Sequence, residues 1–282
     1  PISNGNEGVK MSVDECRRNT WLFSGVSSGL GKEWALFLLE RGDRIVGITR
    51  NADSVEQLTL KYGQQFIPVE ADITDMGALE KALNSALNES SVHSISHVVC
   101  AAAFAHFGTI EDVSPLDLEE IFRVNVVGSR NVSIAGLRKM ESSGDRRILF
   151  VSSMAGLHCW PNLGSYQISK FAVRALSDTL RVELAQQGIQ VGCLYPGPHV
   201  GTGWATDNAV HTDVSDRYDA DWLSENCRCG FELSNAKGSL SSFKKMISSD
   251  PMPAAATTHK EVAKMFALDA EKMSSQLDAV EE

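Results

Sequence analysis

The sequence has 282 residues, of which 43% are hydrophobic and 22% are charged, and its formal net charge is −10. A chain of this length and composition can bury the core of one large α/β domain. The acidic balance argues against a nucleic-acid partner, because phosphate binding needs a basic face. No apolar run is long enough to span a bilayer, so we predict no membrane partner.

The start of the chain is polar and lacks the apolar stretch and small-residue cleavage site of a signal peptide. We interpret residues 1–19 as a disordered extension and residues 20–282 as a single domain. Of six cysteines, only Cys227 and Cys229 are close together, and no second pair or histidine cluster completes a zinc site. We therefore predict no metal and a reducing, cytoplasmic setting.

A short apolar run at residues 21–24 leads into a glycine-rich turn at residues 25–31, and a helical pattern follows as far as Arg41 and Gly42. Strand, glycine turn and helix in this order are typical of a phosphate-binding site. The glycines let the backbone approach a pyrophosphate, which the free N–H groups of the helix would hold. The alternative is a glycine turn that serves helix packing only.

The second predicted strand, residues 44–49, ends at Arg50. In dinucleotide-binding folds, an acid that closes this strand binds the ribose 2′-hydroxyl, whereas an arginine accommodates a 2′-phosphate. The arginine, with no acid beside it, favours NADP over NAD. Arg50 is equally compatible with an ordinary exposed loop residue.

Further apolar runs alternate with helical patterns along the chain. Strands are predicted at residues 66–70, 97–101, 147–152 and 189–195, and helices at residues 53–62, 75–90 and 171–187, with another that Ser114 caps and Pro115 begins. Continuous apolar strands alternating with helices indicate a parallel sheet covered on both faces. The predicted fold class is therefore α/β, a doubly wound parallel sheet in three αβα layers.

Tyr166 and Lys170 are four residues apart, so on a helix they share one face. A nearby ammonium lowers the pKa of a phenol from its usual value of about 10. A tyrosine whose pKa is lowered in this way can give or take a proton near neutral pH. The alternative is a chance spacing on a solvated helix face.

After residue 198 the chain becomes polar, with isolated aromatic residues and no strong periodicity. We interpret residues 199–250 as a mobile lid over an apolar substrate. The last strand is predicted at residues 265–268.

From about residue 20 to residue 202, the sequence resembles the short-chain dehydrogenase/reductase family of the compact, single-domain kind. The matching residues are Gly25, Gly29 and Gly31 in the glycine turn, Asp72 after the third strand, Asn125 in a helix, Ser153 at the family's spacing before the tyrosine, Tyr166, Lys170 and the turn of Pro196 and Gly197.

The resemblance implies a Rossmann fold and hydride transfer between a nicotinamide cofactor and a carbonyl or secondary alcohol. Tyr166 would be the general acid and base, and Lys170 would lower its pKa and contact the nicotinamide ribose. Ser153 would hydrogen-bond the carbonyl oxygen, and Asn125 would hold a water linking Lys170 to solvent. A homodimer or homotetramer is also implied.

The expected contacts follow from these motifs. Cofactor contacts are expected at Gly25, Ser27, Ser28, Gly29, Leu30, Gly31, Arg50, Asp72, Ile73, Ala101, Ala102, Ala103, Tyr166, Lys170, Pro196, Gly197 and Thr202. Substrate contacts are expected from segments that end near the nicotinamide, at Phe104, His106, Ser153, His158, Trp160, His199 and Trp204. The alternative for each of the latter is loop packing.

The sequence departs from the family pattern at two places. The family's Asn-Asn-Ala-Gly reads Cys-Ala-Ala-Ala at residues 100–103, which removes an asparagine that ties neighbouring strands and narrows the space beside the cofactor. Thr202 sits one residue later than the family's threonine.

The alternative function is a catalytically silent nucleotide-binding regulator on the same fold, although such a protein would be expected to lose Ser153 or the Tyr166–Lys170 pair.

Overall fold

The computed structural model describes residues 19–90, 92–200, 202, 209–227 and 233–278. The predicted extension at residues 1–19 lies outside them, apart from Asn19. The described strands are β1 (Thr20–Ser24), β2 (Arg44–Thr49), β3 (Phe66–Glu70), β4 (His97–Cys100), β5 (His106–Phe107), β6 (Arg147–Val151), β7 (Gln190–Tyr195), β8 (His199–Val200), β9 (Val210–His211), β10 (Ser234–Asn235) and β11 (Ala255–Thr257). The described helices are α1 (Gly29–Glu40), α2 (Glu56–Tyr62), α3 (Met76–Glu89), α4 (Pro115–Phe122), α5 (Ser129–Arg138), α6 (Gly164–Glu183), α7 (Ala220–Cys227), α8 (Leu240–Ser248) and α9 (Lys260–Asp278).

Seven strands form one sheet in the order β11-β7-β6-β4-β1-β2-β3, and every pairing in it is parallel. The order reverses at β1, because the chain moves to β2 and β3 on one side and to β4, β6 and β7 on the other. Ligands of open α/β sheets bind at the carboxyl ends of the strands at such a reversal. The predicted doubly wound sheet is confirmed, and it places the residues after β1 and β4 side by side.

Apolar residues on the two faces of the sheet pack against different helices. Leu22 in β1 belongs to the cluster that contains buried residues of α3, α5 and α6. Trp21 and Phe23, its neighbours in β1, belong to the cluster on the opposite face with α1 and α8. The alternation of side chains along a strand thus supplies a core to both faces. None of the described helices is both long enough and apolar enough to cross a bilayer.

Helix α8 is part of the core, which the predicted lid over residues 199–250 did not anticipate. Phe243 is fully buried and stacks on Trp34 of α1, with ring centroids 4.8 Å apart. The indole nitrogen of Trp34 donates a hydrogen bond to Ser239 Oγ at 2.7 Å. Burying aromatic rings of this size contributes on the order of 1.5–3 kcal/mol each. The lid hypothesis is therefore confined to the part of the segment before residue 228.

The predicted last strand at residues 265–268 is wrong, because these residues lie within α9 and the edge strand is β11. β11 contains only three residues, two of them alanine, and has no apolar run to mark it. Val262, near the start of α9, is fully buried, whereas Leu268 and Met273 are exposed.

Two helices place the predicted catalytic residues. The chain passes from α4 to α5 through a π-helical turn, Arg123–Gly128, which carries Asn125. Helix α6 starts at Gly164, earlier than the predicted residue 171, so Tyr166 lies in its first turn and Lys170 one turn later.

Candidate functional site

A cavity of about 670 Å³ opens at the carboxyl ends of the strands, at the predicted position. All seventeen residues predicted to contact the cofactor line it, from the glycine turn through Arg50, Asp72 and residues 101–103 to Thr202. Ser153, Tyr166 and Lys170 line the same cavity. The structure thus brings together segments that lie as far apart in the sequence as Gly25 and Thr202.

The turn after β1 is shaped so that no side chain fits inside it. Gly25 has a φ of +82°, and a Cβ there would lie 2.8 Å from the backbone nitrogen of Ala102. A Cβ on Gly31 would lie 2.1 Å from the carbonyl oxygen of Gly25. The N-terminus of α1 has no side-chain cap and no acid in its first turn. Its N–H groups can therefore hold an anion such as a pyrophosphate.

Two arginines flank the adenosine end of the cavity. Arg50 follows β2, and Arg123 comes from the π-helical turn; both are exposed and line the cavity. Between them, the backbone N–H of Thr74 donates a hydrogen bond to Asp72 at 2.8 Å and lowers the pKa of that carboxyl, with smaller effects in the same direction from Arg123 and Arg50. Arg123 was not predicted, since a π-helical turn leaves no mark in the helical periodicity of the sequence.

Ser24 bonds the segment that departs from the family pattern. Its hydroxyl oxygen accepts hydrogen bonds from the backbone nitrogens of Ala101 and Ala102, at 3.2 and 3.4 Å. The same hydroxyl is 3.4 Å from the carbonyl oxygen of Val99, to which it donates. Cys100 takes the place of the lost asparagine, and its Sγ donates to the carbonyl oxygen of Ser129 at 3.4 Å. The ends of β1 and β4 are thus tied together without the asparagine.

Tyr166, Lys170 and Ser153 form one polar group on the cavity wall. Lys170 Nζ donates a hydrogen bond to the carbonyl oxygen of Val151 at 3.1 Å and lies 5.5 Å from the centroid of the Tyr166 ring. The Ser153 hydroxyl interacts with the Tyr166 phenol by a hydrogen bond that lowers the pKa of the phenol. Both Tyr166 and Lys170 are less than a tenth exposed.

Burial governs the protonation of this group. It raises the pKa of Tyr166 to about 12, more than the Ser153 hydrogen bond lowers it. Burial also lowers the pKa of Lys170 to about 8. The predicted depression of the Tyr166 pKa by Lys170 is therefore wrong for the protein without ligand, because desolvation is the largest effect on the phenol.

The Lys170 pKa predicts how stability depends on pH. Between about pH 8 and pH 10.5 the folded protein holds Lys170 neutral while the unfolded chain keeps it protonated, so stability rises with pH. Relative to Lys170→Met, the wild type should gain roughly 1–2 kcal/mol of unfolding free energy from pH 8 to about pH 9.5. Urea unfolding of both proteins at the two pH values measures this, and a pH-independent difference would contradict it. The raised Tyr166 pKa acts in the opposite sense only above about pH 10.

Asn125 does not line the cavity, and its side-chain amide is bonded within the protein, while its water-holding role stays a prediction. Its Oδ1 accepts from the backbone nitrogen of Phe104, and its two amide protons go to the carbonyl oxygen of Phe104 and to Ser169 Oγ, each at 3.0 Å. Both donors are therefore used within the protein. Asn125 positions the segment after β4 against α6.

The predicted substrate contacts divide into two groups. Phe104, Ser153, Trp160 and His199 line the cavity, whereas His106 and His158 do not. His106 is buried, and its Nε2 hydrogen-bonds to Thr212 Oγ1 at 2.8 Å. Trp204 lies outside the described residues. Met154, Leu163 and Val210 also line the cavity and were not predicted, because nothing in the local sequence distinguishes them from packing residues.

His158 is turned toward the C-terminal helix. Its Nδ1 hydrogen-bonds to the carboxylate of Asp269 in α9. Loop packing, the alternative considered for each predicted substrate contact, therefore describes both His106 and His158.

Hydrogen bonds fix the turn that follows β7. His199 Nδ1 donates to the carbonyl oxygen of Gly197 at 2.8 Å, and the backbone nitrogen of Gly197 donates to Thr258 Oγ1 at 2.9 Å. Thr202 Oγ1 donates to the carbonyl oxygen of His199 at 2.7 Å. Burial lowers the pKa of His199, so its ring is neutral at pH 7. The late position of Thr202 is thus accommodated, since its hydroxyl closes the turn and still lines the cavity.

Sequence comparisons relate the chain to known proteins. A sequence model of the family described as short chain dehydrogenase matches residues 19–212. The uncharacterized oxidoreductase YbbO of Escherichia coli K12 is 32% identical over 209 residues, which cover 73% of this chain and 75% of that protein. The NADPH-dependent 3-dehydrocapnine reductase of Ornithobacterium rhinotracheale is 32% identical over 180 residues, covering 62% of this chain and 63% of that protein.

Solved structures show the same fold. A short-chain dehydrogenase from Streptomyces avermitilis superposes with a TM-score of 0.84 at 20% identity, covering 96% of this chain and 97% of that chain. A short-chain dehydrogenase/reductase from Burkholderia phymatum in complex with NAD gives a TM-score of 0.75 at 22% identity, covering 93% of this chain and 96% of that chain.

Proposed function

The chain belongs to the short-chain dehydrogenase/reductase family and is an oxidoreductase, and from this premise we propose that it reduces a ketone or aldehyde with NADP(H), using Tyr166 as the general acid. The observation that carries the proposal is that Ser153, Tyr166 and Lys170 share one cavity with the glycine turn. Turnover of NADPH and NADH across a panel of ketones, aldehydes and secondary alcohols tests it. No turnover of either cofactor on any of them would favour the silent regulator.

The residues present fit a nicotinamide dinucleotide. The glycine turn and the uncapped α1 would hold its pyrophosphate, Asp72 and Ile73 would border the adenine, and Lys170 would contact the nicotinamide ribose. When bound, the cofactor supplies the hydride. The protein supplies orientation and a proton.

Three side chains would handle the substrate oxygen. The Ser153 and Tyr166 hydroxyls donate hydrogen bonds to the carbonyl oxygen and fix its position. Tyr166 then transfers its proton to that oxygen as negative charge develops there. Lys170, protonated at neutral pH because its pKa is about 8, stabilises the phenolate that remains.

The Tyr166 pKa determines the protonation state from which each direction of the reaction starts. A phenol with a pKa of about 12 is fully protonated at neutral pH, which is the form that a proton donor needs. Oxidation of an alcohol would require the phenolate, which burial disfavours in the protein without ligand.

The two exposed arginines support NADP(H) over NAD(H). Arg50 and Arg123 line the cavity, and Arg50 is accompanied there by Asn51 and Ser54 of the β2–α2 connection, whereas Asp53 of this connection does not line it. An arginine at this position accommodates a 2′-phosphate. The Ornithobacterium relative is also named as an NADPH-dependent reductase.

Arg50→Ala should weaken NADPH binding by about 10-fold and leave NADH binding almost unchanged. A charge-assisted hydrogen bond contributes about 1.5–3 kcal/mol, and partial exposure reduces this. Fluorescence titration of both reduced cofactors against both proteins measures the effect. Arg44→Ala, at the opposite end of β2, is the control. Equal binding of NADH and NADPH by the wild type would contradict the NADP(H) proposal.

We further propose that the substrate lid includes residues 209–227. Residues 210–212 are held by the pairing of β9 with β5 and by the hydrogen bond from His106 to Thr212. Beyond them, the segment is attached to the loop after β5 by surface hydrogen bonds, from Ser215 N to Asp112 at 3.1 Å and from Tyr218 OH to Glu111 at 2.7 Å. Exposed hydrogen bonds of this kind open at low cost. Limited proteolysis should cut this segment, and cofactor with substrate should slow the cutting several-fold. Cutting that ligands leave unchanged would contradict the lid.

A further inference from the structure

Helix α9 lies beyond residues 19–212, the part of the chain that matches the family, yet it reaches the loop that follows Ser153. Two contacts hold it against the neighbouring elements. Val262 is fully buried, and the guanidinium of Arg174 in α6 lies 5.0 Å from the centroid of the Phe266 ring. These contacts anchor the first half of the helix independently of what its later residues do.

One turn further along α9, Asp269 binds the loop itself. Its carboxylate hydrogen-bonds to His158 Nδ1, and both side chains are about one-third exposed, at 30%. Burial, and to a smaller extent the Asp269 charge, also raise the pKa of the neighbouring Cys159. The carboxylate is therefore directed at residues 158–159.

His158 connects this helix to the wall of the cavity. Its ring lies edge-on to the indole of Trp160, with centroids 4.6 Å apart and an interplanar angle of 63°. Trp160 lines the cavity, and its carbonyl oxygen accepts a hydrogen bond from Gln167 Nε2 at 2.9 Å. The backbone of Trp160 is thus bonded to α6, while its ring packs edge-on against His158, which Asp269 bonds.

The wall that Trp160 completes is apolar. Phe104, Leu163 and Met154 line the same cavity, and the apolar cluster at this end contains Phe104, Leu163 and Trp160 together with Tyr166. Side chains of this kind contact uncharged, apolar groups of a ligand. A ring packed at a fixed angle discriminates between such groups by shape.

We propose that Asp269 is a positioning residue that sets substrate specificity, holding the Trp160 ring through His158 so that the cavity prefers carbonyl compounds with a bulky apolar group beside the reacting carbon. The proposal rests on the reductase function proposed above. Helix α9 lies outside the part of the chain that matches the family. It would shape the substrate site through His158 and Trp160 without touching the substrate.

Asp269→Ala, compared with the wild type, tests the proposal, with Glu271→Ala as the control because Glu271 is an exposed carboxylate on the same helix. The ratio of kcat/KM for an aryl alkyl ketone to that for acetone should fall by about 3- to 10-fold in Asp269→Ala, through a higher KM for the bulky ketone. Turnover of acetone, NADPH binding and the urea midpoint should stay close to the wild type. Glu271→Ala should preserve the ratio.

A double-mutant cycle with His158→Ala distinguishes positioning from a general loss of structure. Because both residues act through one contact, the double variant should lose no more than either single variant. Additive losses, or an unchanged ketone ratio in Asp269→Ala, would overturn the proposal. Tryptophan fluorescence provides a measurement that needs no turnover: Asp269→Ala should shift the emission of the wild type but not that of Trp160→Phe. If the protein reduces no ketone, the proposed reductase function is wrong. The fluorescence result then still tests whether Asp269 positions the Trp160 ring.

Discussion

Tyr166→Phe is expected to lower kcat for ketone reduction by about 10²–10⁴-fold, with NADPH affinity within about 2-fold of the wild type. Phenylalanine keeps the ring and its packing against Lys170 Nζ, 5.5 Å from the centroid, but removes the proton that the substrate oxygen would receive. NADPH affinity should hold, because the glycine turn, Asp72 and Lys170 are unchanged. Steady-state kinetics and a fluorescence titration measure the two quantities.

Tyr195→Phe is the matched control for this variant. Tyr195 is also a buried tyrosine, at the end of β7, but it does not line the cavity. Removal of its hydroxyl should change stability and leave kcat almost unaltered. If Tyr166→Phe kept the wild-type kcat, or if both variants lost activity to the same extent, Tyr166 would not be the acid.

Gly31→Ala is expected to weaken NADPH binding by at least about 10-fold and to lower the free energy of unfolding by about 1–3 kcal/mol. The added methyl group would lie 2.1 Å from the carbonyl oxygen of Gly25, far closer than atoms can approach. The backbone of Gly25 must therefore move, and it cannot move toward Ala102, which the same turn already contacts. The displaced turn would no longer present its N–H groups to the pyrophosphate.

Gly77→Ala is the control for the glycine variant. Gly77 is also near the N-terminus of a helix, α3, and a Cβ there would meet only Asp75 Oδ1, at an ordinary 3.5 Å. Alanine should be neutral or slightly stabilising at this position, because it favours the helix over the unfolded chain. NADPH binding by Gly31→Ala at the wild-type affinity would contradict the assignment of the turn to the cofactor.

The residues that sequence patterns located correctly are those whose role depends on neighbours in the chain. The run at residues 21–24 followed by glycines predicts a strand and a phosphate turn, and Gly25 and Gly31 do occupy positions that exclude a side chain. The pair of Tyr166 and Lys170 lies one helical turn apart on the cavity wall, as the spacing predicts.

Other features depend on contacts between distant segments and left no local pattern. The β11 strand has three residues and is defined by its pairing with β7, so its sequence did not reveal it. His158 was predicted to contact the substrate, but its partner is Asp269 in α9, which is 111 residues away in the sequence. The pKa of Tyr166 is set by how deeply the first turn of α6 is buried, which spacing from Lys170 does not determine.

Transfer of deuterium from [4-²H]NADPH to a ketone, measured by mass spectrometry of the product alcohol, tests the central claim most directly. The wild type should give an alcohol with one deuterium on the carbinol carbon, from one of the two C4 epimers of the cofactor only. Tyr166→Phe should bind the cofactor and give almost none of this product. An alcohol that carries no deuterium with either epimer, or a cofactor that binds in the cavity and is never oxidised by any ketone, would contradict the reductase function.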